Sequence, residues 1–225
     1  MKFGTCSKDS TDMKEKLRAS LGKITFELMI VTLGVLIALV INEWFQNYQE
    51  EKYAHVILEK THYEMESNLE KLQGVAKAYE ETILILGQLL ELNHSHKNNQ
   101  LEISITNLDT NSSVWEFALL RDELKEVPVE LLISISSSYK AAHDAQLASE
   151  YVSPSFFANF LRELSVTTDR ESLLKSFRSD VQNVHLKAQI ASLILEQAVN
   201  DTAYYLKTGD TNIEKTPMEI SISLD

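Results

Sequence analysis

An uninterrupted apolar run lies near the start of the chain. Residues 28–41 carry no charged side chain, and Thr32 is their one hydroxyl residue. A membrane-spanning helix needs about 20 residues, because it rises about 1.5 Å per residue through a hydrocarbon layer about 30 Å thick. Residues 24–45 meet that length and end in Trp44 and Phe45, an aromatic pair suited to the headgroup region. The pattern predicts a single transmembrane helix over residues 24–45.

Two other interpretations of this run are weaker. The core helix of a soluble protein keeps a polar face, and residues 28–41 show none over four turns. A cleaved signal peptide ends in small residues, whereas Asn42, Glu43, Trp44 and Phe45 follow this run. We therefore expect an uncleaved membrane anchor.

Two later stretches space apolar residues alternately three and four positions apart, which is typical of one face of a long helix. The first row is Leu58, His62, Met65, Leu69, Leu72, Ala76, Tyr79, Ile83, Leu86 and Leu90. The second row is Leu174, Phe177, Val181, Val184, Ala188, Ala191, Leu195, Ala198, Thr202 and Tyr205. Because no Pro lies between Glu43 and Leu92, we expect the transmembrane helix to continue outward as one helix, starting between residues 11 and 21.

Capping residues mark the limits of the other predicted helices. Thr168 or Asp169 caps the second long helix, and Gly209 ends it. Ser113 and Glu116 form a capping box, which predicts a helix from Ser113 to about residue 126.

Two further helices are predicted from prolines and from apolar spacing. Pro128 opens one that ends near Tyr151, with Leu132, Ile135, Tyr139, Ala142 and Gln146 on one face. The Ser153-Pro154 pair opens a short helix over residues 156–164.

These elements predict an all-α protein, in which the transmembrane helix continues into an antiparallel helical bundle outside the membrane. Residues 93–113 are expected to form a loop. The similar strings at 101–105 and 219–224 alternate at the period of a strand, so they either pair as a minor two-stranded ribbon or stay unpaired. The expected organisation is a basic tail at 1–23, the span at 24–45, the bundle at 46–215 and a C-terminal tail at 216–225.

Charge gives the expected orientation. The 33 acidic and 21 basic residues leave a net charge of −12, which argues against nucleic-acid binding. The 1–23 tail is nevertheless basic, with six Lys or Arg against three acids, and Glu43 and Glu50 follow the span. The positive-inside rule then places the N-terminus in the cytoplasm and the bundle across the membrane, in the periplasm of a Gram-negative host.

The sequence offers little for catalysis or metal binding. One cysteine, Cys6, allows no disulfide within the chain and no cysteine-built zinc site. His94 and His96 have no third ligand near them in sequence. Glu59 and His62 have the Glu-x-x-His spacing of di-iron bundles, but no second such motif exists. No nucleophile elbow or phosphate-binding loop is present, so we expect no enzymatic activity, no cofactor and no metal.

Three residues in or near the span are candidate functional positions. Gly34 and Ala38 have the small-x-x-x-small spacing that lets another transmembrane helix approach closely, although two small residues can also share an apolar run without such a role. Glu27 is a carboxylate about one turn inside the span. It also lies four residues from Lys23, with which it can pair at the membrane surface.

The segment from Phe26 to Trp44, with Val114-Trp115-Glu116 later in the chain, resembles a family of bacterial single-pass membrane proteins with no assigned activity. Members share a Gly-Glu, apolar, Ile-Asn-Trp anchor and a helical domain. This chain departs from the pattern, because no Gly directly precedes Glu27 and Glu43 stands before Trp44. The resemblance implies a bacterial inner-membrane location and architecture, and implies no chemistry.

Three functions fit these expectations. The first is an accessory or structural subunit of a larger inner-membrane complex, which contacts the lipid bilayer and either another membrane protein or a second copy of itself. The second is a periplasmic sensor that signals through a separate partner, because a 23-residue tail is too short for an output domain. The third is an oligomeric ion-coupled membrane effector that uses Glu27. A hetero- or homo-oligomer is expected in each.

Overall fold

The computed structural model describes residues 9–92, 103, 105–121, 124–125 and 127–210, with the side chains of 9–22, 24 and 92 left aside. These ranges contain five α-helices and no strand, which confirms the all-α class. The helices are α1 (Asp9–Leu92), α2 (Ser113–Leu119), α3 (Val129–Tyr151), α4 (Pro154–Val166) and α5 (Arg170–Thr208). The predicted ribbon falls largely outside the described residues, since 101, 102, 104 and 219–224 are among the others.

Helix α1 is continuous over 84 residues, so the expectation of one helix running from the N-terminal region to Leu92 is confirmed. It starts at Asp9, slightly earlier than expected. The chain divides into two compact units, the first ending at Lys52 and the second starting at Tyr53. In the first unit, every described side chain from Lys23 to Gln49 is exposed.

In the second unit, the part of α1 that faces the core is wider than the predicted row. All ten residues of that row are buried or half-buried. A second row, one position before it, is as deeply placed and largely polar: Ala54, Thr61, Asn68, Val75 and Thr82 are all buried. Because Thr61, Asn68 and Thr82 are polar, the hydropathy pattern did not predict that this second row of α1 is buried.

Helix α5 follows its predicted row closely. Nine of the ten residues named for it are buried, and Tyr205 is half-buried. The Asp169 carboxylate accepts a hydrogen bond from the Ser172 amide at 3.1 Å, as expected of an N-cap. At the other end Gly209 has φ 69°, a left-handed conformation that suits glycine.

Specific contacts give the direction of the long helices in the second unit. His185 of α5 hydrogen-bonds the Ala76 carbonyl of α1, and the Arg178 side chain lies beside Gly87. Ser134 of α3 donates to Asp201 of α5 at 3.0 Å. Higher positions in α5 therefore lie beside lower positions in α1 and α3, so α5 runs opposite to both.

Helix α2 is shorter than predicted. It ends at Leu119 instead of about residue 126. Leu124 and Val127, which follow it, are both buried in the core, so the chain turns to reach α3. Pro128 also disfavours a helical conformation at the residue before it. Helix α3 then ends at Tyr151, as expected, and buries Ile135, Tyr139 and Ala142.

Helix α4 attaches to α5 through aromatic rings. The rings of Phe160 and Phe177 are 4.1 Å apart at their centroids and nearly parallel, at 17°. Phe157 and Phe156 also stack on Phe177, at 5.6 and 6.1 Å. The Ser153 hydroxyl accepts from the Phe156 amide and caps α4, which begins at Pro154 and ends at Val166, two residues beyond each predicted limit.

Candidate functional sites

The apolar part of α1 satisfies its own polar groups. Thr32 donates its hydroxyl to the Leu28 carbonyl at 2.7 Å, within the helix. An 18-residue window of α1 is long and apolar enough to cross a membrane, and none of it is buried against the protein. The core helix of a soluble protein is mostly buried, whereas a signal sequence near an N-terminus meets the same criteria of length and composition.

The predicted contact residues lie on this exposed segment. Gly34 and Ala38 are both exposed, and a Cβ atom added at Gly34 would meet no described atom within 4 Å other than its chain neighbours and the surrounding backbone of α1 itself. Glu27 is exposed and lies seven residues before Gly34, so the two share one helix face. Trp44 and Phe45 are also exposed, and the Trp44 ring stacks on Tyr48 at 6.3 Å.

A buried carboxylate in the second unit joins α1, α2 and α3. Glu64 of α1 is 8% exposed. Its Oε1 accepts the Tyr139 hydroxyl of α3 at 2.6 Å. Its Oε2 accepts the Ser113 hydroxyl at 3.2 Å and the Val114 amide at 3.1 Å, both from the first turn of α2.

Glu64 therefore supplies the cap of α2 that was assigned to Ser113. The predicted capping box is wrong: the helix starts at Ser113, its N-cap is Ser112, and no Ser112 side-chain oxygen accepts a backbone amide. Ser112 instead donates its hydroxyl to Glu116 at 2.6 Å. The acceptor that replaces it comes from 50 positions earlier in the chain. Local sequence reasoning has no signal for such a cap.

Tyr139 is held in its neutral form. Burial raises the pKa of its hydroxyl, and the hydrogen bond and negative charge of Glu64 raise this pKa further. The ring stacks on buried Trp115 of α2, with centroids 6.0 Å apart and planes within 2°. The Glu64 oxygens are thus occupied by fixed donors, an arrangement that stabilises the junction of three helices.

A second set of polar contacts binds the connecting segment, residues 105–112, which leads into α2. The Asn68 side chain accepts the Asn111 amide at 2.9 Å and donates to the Asn111 carbonyl at 2.6 Å. Ser149 of α3 accepts the Leu108 amide at 2.9 Å, and the Tyr79 hydroxyl donates to the Thr106 carbonyl at 3.1 Å. The sequence predicted a loop here and gave no indication of these contacts.

The described histidine side chains are not placed together as a metal site. Within the described part of the chain, no group of three or more His, Cys, Asp or Glu side chains is placed to hold a metal ion. His62 approaches Glu66 at 3.5 Å through Nε2, whereas its Nδ1 is buried with no hydrogen-bond partner among the described residues. His62 therefore packs in the predicted row with one ring nitrogen lacking a partner among the described residues. His94 and His96 lie outside the described residues.

Two cavities lie around α4 and α5. One of about 100 Å³ is lined by Phe156, Phe160, Phe177 and Asp180, where burial raises the pKa of the Asp180 carboxyl. The other, of about 330 Å³, is lined mainly by leucines, including Leu89. Neither lining contains a histidine or a cysteine.

Comparisons with known proteins add no relative: no protein-family model matches this chain, and neither the curated proteins nor the solved structures contain a match.

Proposed function

We propose that this chain is a membrane-anchored interaction protein, an accessory or structural subunit of a larger inner-membrane complex. The observation that carries the proposal is the exposure of the apolar part of α1, of which no residue in the 18-residue window is buried. A helix of this composition is stable in a bilayer, because its backbone hydrogen bonds are satisfied within the helix. Residues 24–45 form the span in this proposal.

The proposed orientation places the basic N-terminal tail in the cytoplasm and the second unit in the periplasm. In the second unit, the contacts of α1, α3 and α5 support a helical bundle in which α5 runs opposite to the other two. The bundle is stabilised by a shared core and by the polar contacts of Glu64 and Asn68.

The proposed contact with a partner uses the face of α1 that carries Gly34 and Ala38. Small side chains let two helix backbones approach closely in a bilayer, where packing and not the hydrophobic effect drives association. Apart from its chain neighbours and the surrounding α1 backbone, no described atom lies within 4 Å of a Cβ added at Gly34, which is consistent with another helix packing on this face.

Crosslinking in membranes tests the subunit role. The chain is expressed in a Gram-negative host, crosslinked in intact membranes, and purified in mild detergent for mass spectrometry. We expect a stoichiometric membrane partner that is lost with Gly34→Leu and retained with Thr32→Leu, which adds bulk on the opposite face. An uncrosslinked monomer in both would contradict the proposal.

Two further measurements test the anchor itself. Intact-protein mass after carbonate-washed membrane isolation distinguishes an uncleaved anchor from a processed signal peptide, which would leave a shortened, soluble product. Labelling of Asn98→Cys in a Cys6→Ser background with a membrane-impermeant maleimide tests the orientation. Protection of that cysteine in intact cells with a permeabilised outer membrane would reverse the proposed topology.

The shared face of Glu27 and Gly34 supports the ion-coupled effector as a second candidate. Helices that associate through Gly34 and Ala38 would bring the Glu27 side chains of neighbouring copies to the same side of the contact. Homo-oligomers of defined size in liposomes, with an ion leak that disappears in Glu27→Gln, would favour this candidate over the subunit role. A periplasmic sensor remains the other alternative, and it requires a signalling partner in the crosslinked complex.

A further inference from the structure

A cavity lined mainly by leucines lies between three helices of the second unit. Its volume is about 330 Å³, close to the lower limit of about 300 Å³ for small-molecule sites. We refer to it as the leucine cavity. Its size suits one short alkyl chain and not the two long chains of a phospholipid. The lining consists of Leu89 of α1, Leu161, Leu164 and Ser165 of α4, and Arg170 and Leu174 of α5.

The walls of the leucine cavity offer almost no hydrogen-bonding groups. Four of the six lining residues are leucines, and none of the six is aromatic or carries a side-chain amide. The Ser165 hydroxyl already donates its proton to the Arg162 carbonyl at 2.6 Å, so toward a ligand it can only accept. The part of a ligand that enters the cavity must therefore be apolar, because a polar group would lose its hydrogen bonds to water there. A saturated alkyl chain meets this requirement.

The one charged residue in this lining is a cation. Arg170 is exposed and is the first residue of α5. The two carboxylates next to it in sequence have other partners, since Asp169 accepts the Ser172 amide and Glu171 accepts the Lys175 ammonium. Arg170 forms no ion pair with any residue that the structure describes. Its guanidinium can therefore bind the anionic head group of a ligand at the rim of the cavity.

A second arginine on the same face of α5 adds positive charge. Arg178 lies about two turns beyond Arg170, with Leu174 between them, and its side chain is beside Gly87 of α1. The Arg178 Nε atom is buried and has no hydrogen-bond partner among the described residues. Buried polar atoms without a partner are uncommon in folded proteins. The charge on this part of α5 thus favours an anionic ligand over a cationic one.

We propose that the leucine cavity binds a free fatty acid of short to medium chain length. The alkyl chain lies against the four leucines, and the carboxylate accepts hydrogen bonds from the Arg170 guanidinium. Residues 93–100, which follow α1, are all polar, so this part of the chain supplies no apolar side chain to fill the cavity. The proposal goes beyond the subunit role and depends neither on a membrane partner nor on the orientation of the span.

Photo-crosslinking with a fatty-acid probe tests this site. The full-length chain is incorporated into phosphatidylcholine nanodiscs and irradiated with a decanoate that carries a diazirine on its alkyl chain. Mass spectrometry of the digested protein then locates the adducts. We expect the adducts of the second unit to be concentrated within residues 161–174. Octanoate should compete for these adducts, whereas octylammonium, which has the same chain length and the opposite charge, should not.

Two matched arginine variants test the role of the cation. With Arg170→Gln we expect the adducts within residues 161–174 to fall about fivefold, the upper end for an exposed ion pair. The control is Arg162→Gln, because Arg162 is also exposed, contacts Asn159 and does not line the cavity. It should leave the yield unchanged. A decanol with the same diazirine, which has no charge, should label the unsubstituted chain and both variants equally.

A variant of the apolar wall gives an independent test. Leu161 is 47% exposed, so Leu161→Glu should leave the fold intact, which circular dichroism checks. Its carboxylate should repel the probe and abolish the adducts. Adducts spread evenly over the second unit, or an unchanged yield in Arg170→Gln or in Leu161→Glu, would overturn the proposal. An equal loss in Arg162→Gln and Arg170→Gln would also overturn it, because the probe would then respond to surface charge in general.

Discussion

The Glu64 carboxylate accepts the Tyr139 hydroxyl at 2.6 Å, across 75 positions of sequence, while its other oxygen caps the first turn of α2. A buried carboxylate is costly unless donors satisfy it, and here three donors from two helices do so. This one side chain therefore determines where α2 can start and how it packs on α1 and α3.

Replacing Glu64 should destabilise the second unit. Glu64→Ala leaves the Tyr139 hydroxyl and the Val114 amide without their acceptor, and we expect a loss of about 3 kcal/mol in the free energy of unfolding. Thermal unfolding in detergent, followed by circular dichroism, should show a fall in Tm of about 9 °C. The control is Glu66→Ala, two residues further on, on the opposite and exposed side of α1. A similar fall in both variants would contradict the assigned role.

Alkaline pH should destabilise the protein through Tyr139. Because the pKa of Tyr139 is raised in the folded state, its stabilising contribution is fully present below pH about 10, the ordinary tyrosine value, and is lost as the pH rises above it. We expect the free energy of unfolding to fall by about 1.4 kcal/mol per pH unit for this group. Burial raises the pKa of Tyr79 as well, which adds a fall of the same sign.

Denaturant titrations between pH 9 and 11.5 measure this slope. Tyr139→Phe should have a shallower slope than the unsubstituted chain. Identical slopes in the two proteins would show that Tyr139 does not titrate differently in the folded and unfolded states.

Asn68 should hold the connecting segment through both functions of its amide. Asn68→Ala leaves the Asn111 carbonyl without its donor and the Asn111 amide without its acceptor. We expect the free energy of unfolding to fall by about 2 kcal/mol. Asn68→Asp keeps the acceptor for the Asn111 amide but loses the donor to its carbonyl. Hydrogen exchange at Asn111 should accelerate strongly in Asn68→Ala and less in Asn68→Asp. Unchanged exchange in the alanine variant would contradict the contact.

Phe177 should carry most of the attachment of α4. It is buried and stacks with three phenylalanines of that helix. Phe177→Ala should therefore lower the free energy of unfolding by about 4 kcal/mol. The control is Phe117→Ala, the same substitution at an exposed site. It should lower the free energy of unfolding by less than about 1 kcal/mol. Chemical denaturation of the two variants gives the comparison, and equal costs would refute the role of the aromatic cluster.

Sequence reasoning succeeded where structure depends on local chemistry. The α5 row, the Asp169 cap and the Gly209 terminus follow from residues within a few positions of one another, and the structure has all three. The continuity of α1 likewise follows from its lack of proline. Such features depend on periodicity and capping, which a single chain displays directly.

The features that sequence reasoning missed depend on distant partners. Asn68 is polar and its sequence neighbours predict an exposed position, but the backbone of residue 111 contacts its amide and covers it. Ser113 satisfied the capping rule, yet a carboxylate from α1 caps the helix instead. Burial of polar groups becomes favourable only once their partners are in place, and one sequence does not state which partners meet.

The contacts of the connecting segment have a consequence for how this chain tolerates variation. Since Tyr79, Lys71 and Asn68 bind carbonyls and amides, the exposed side chains at Asn107 and Asp109 contribute little to holding the segment in place. Random mutagenesis should therefore accumulate substitutions freely at those two positions while sparing Asn68 and Ser149. The positions at which substitutions are poorly tolerated therefore lie in α1 and α3, and not in the connecting segment that these helices bind.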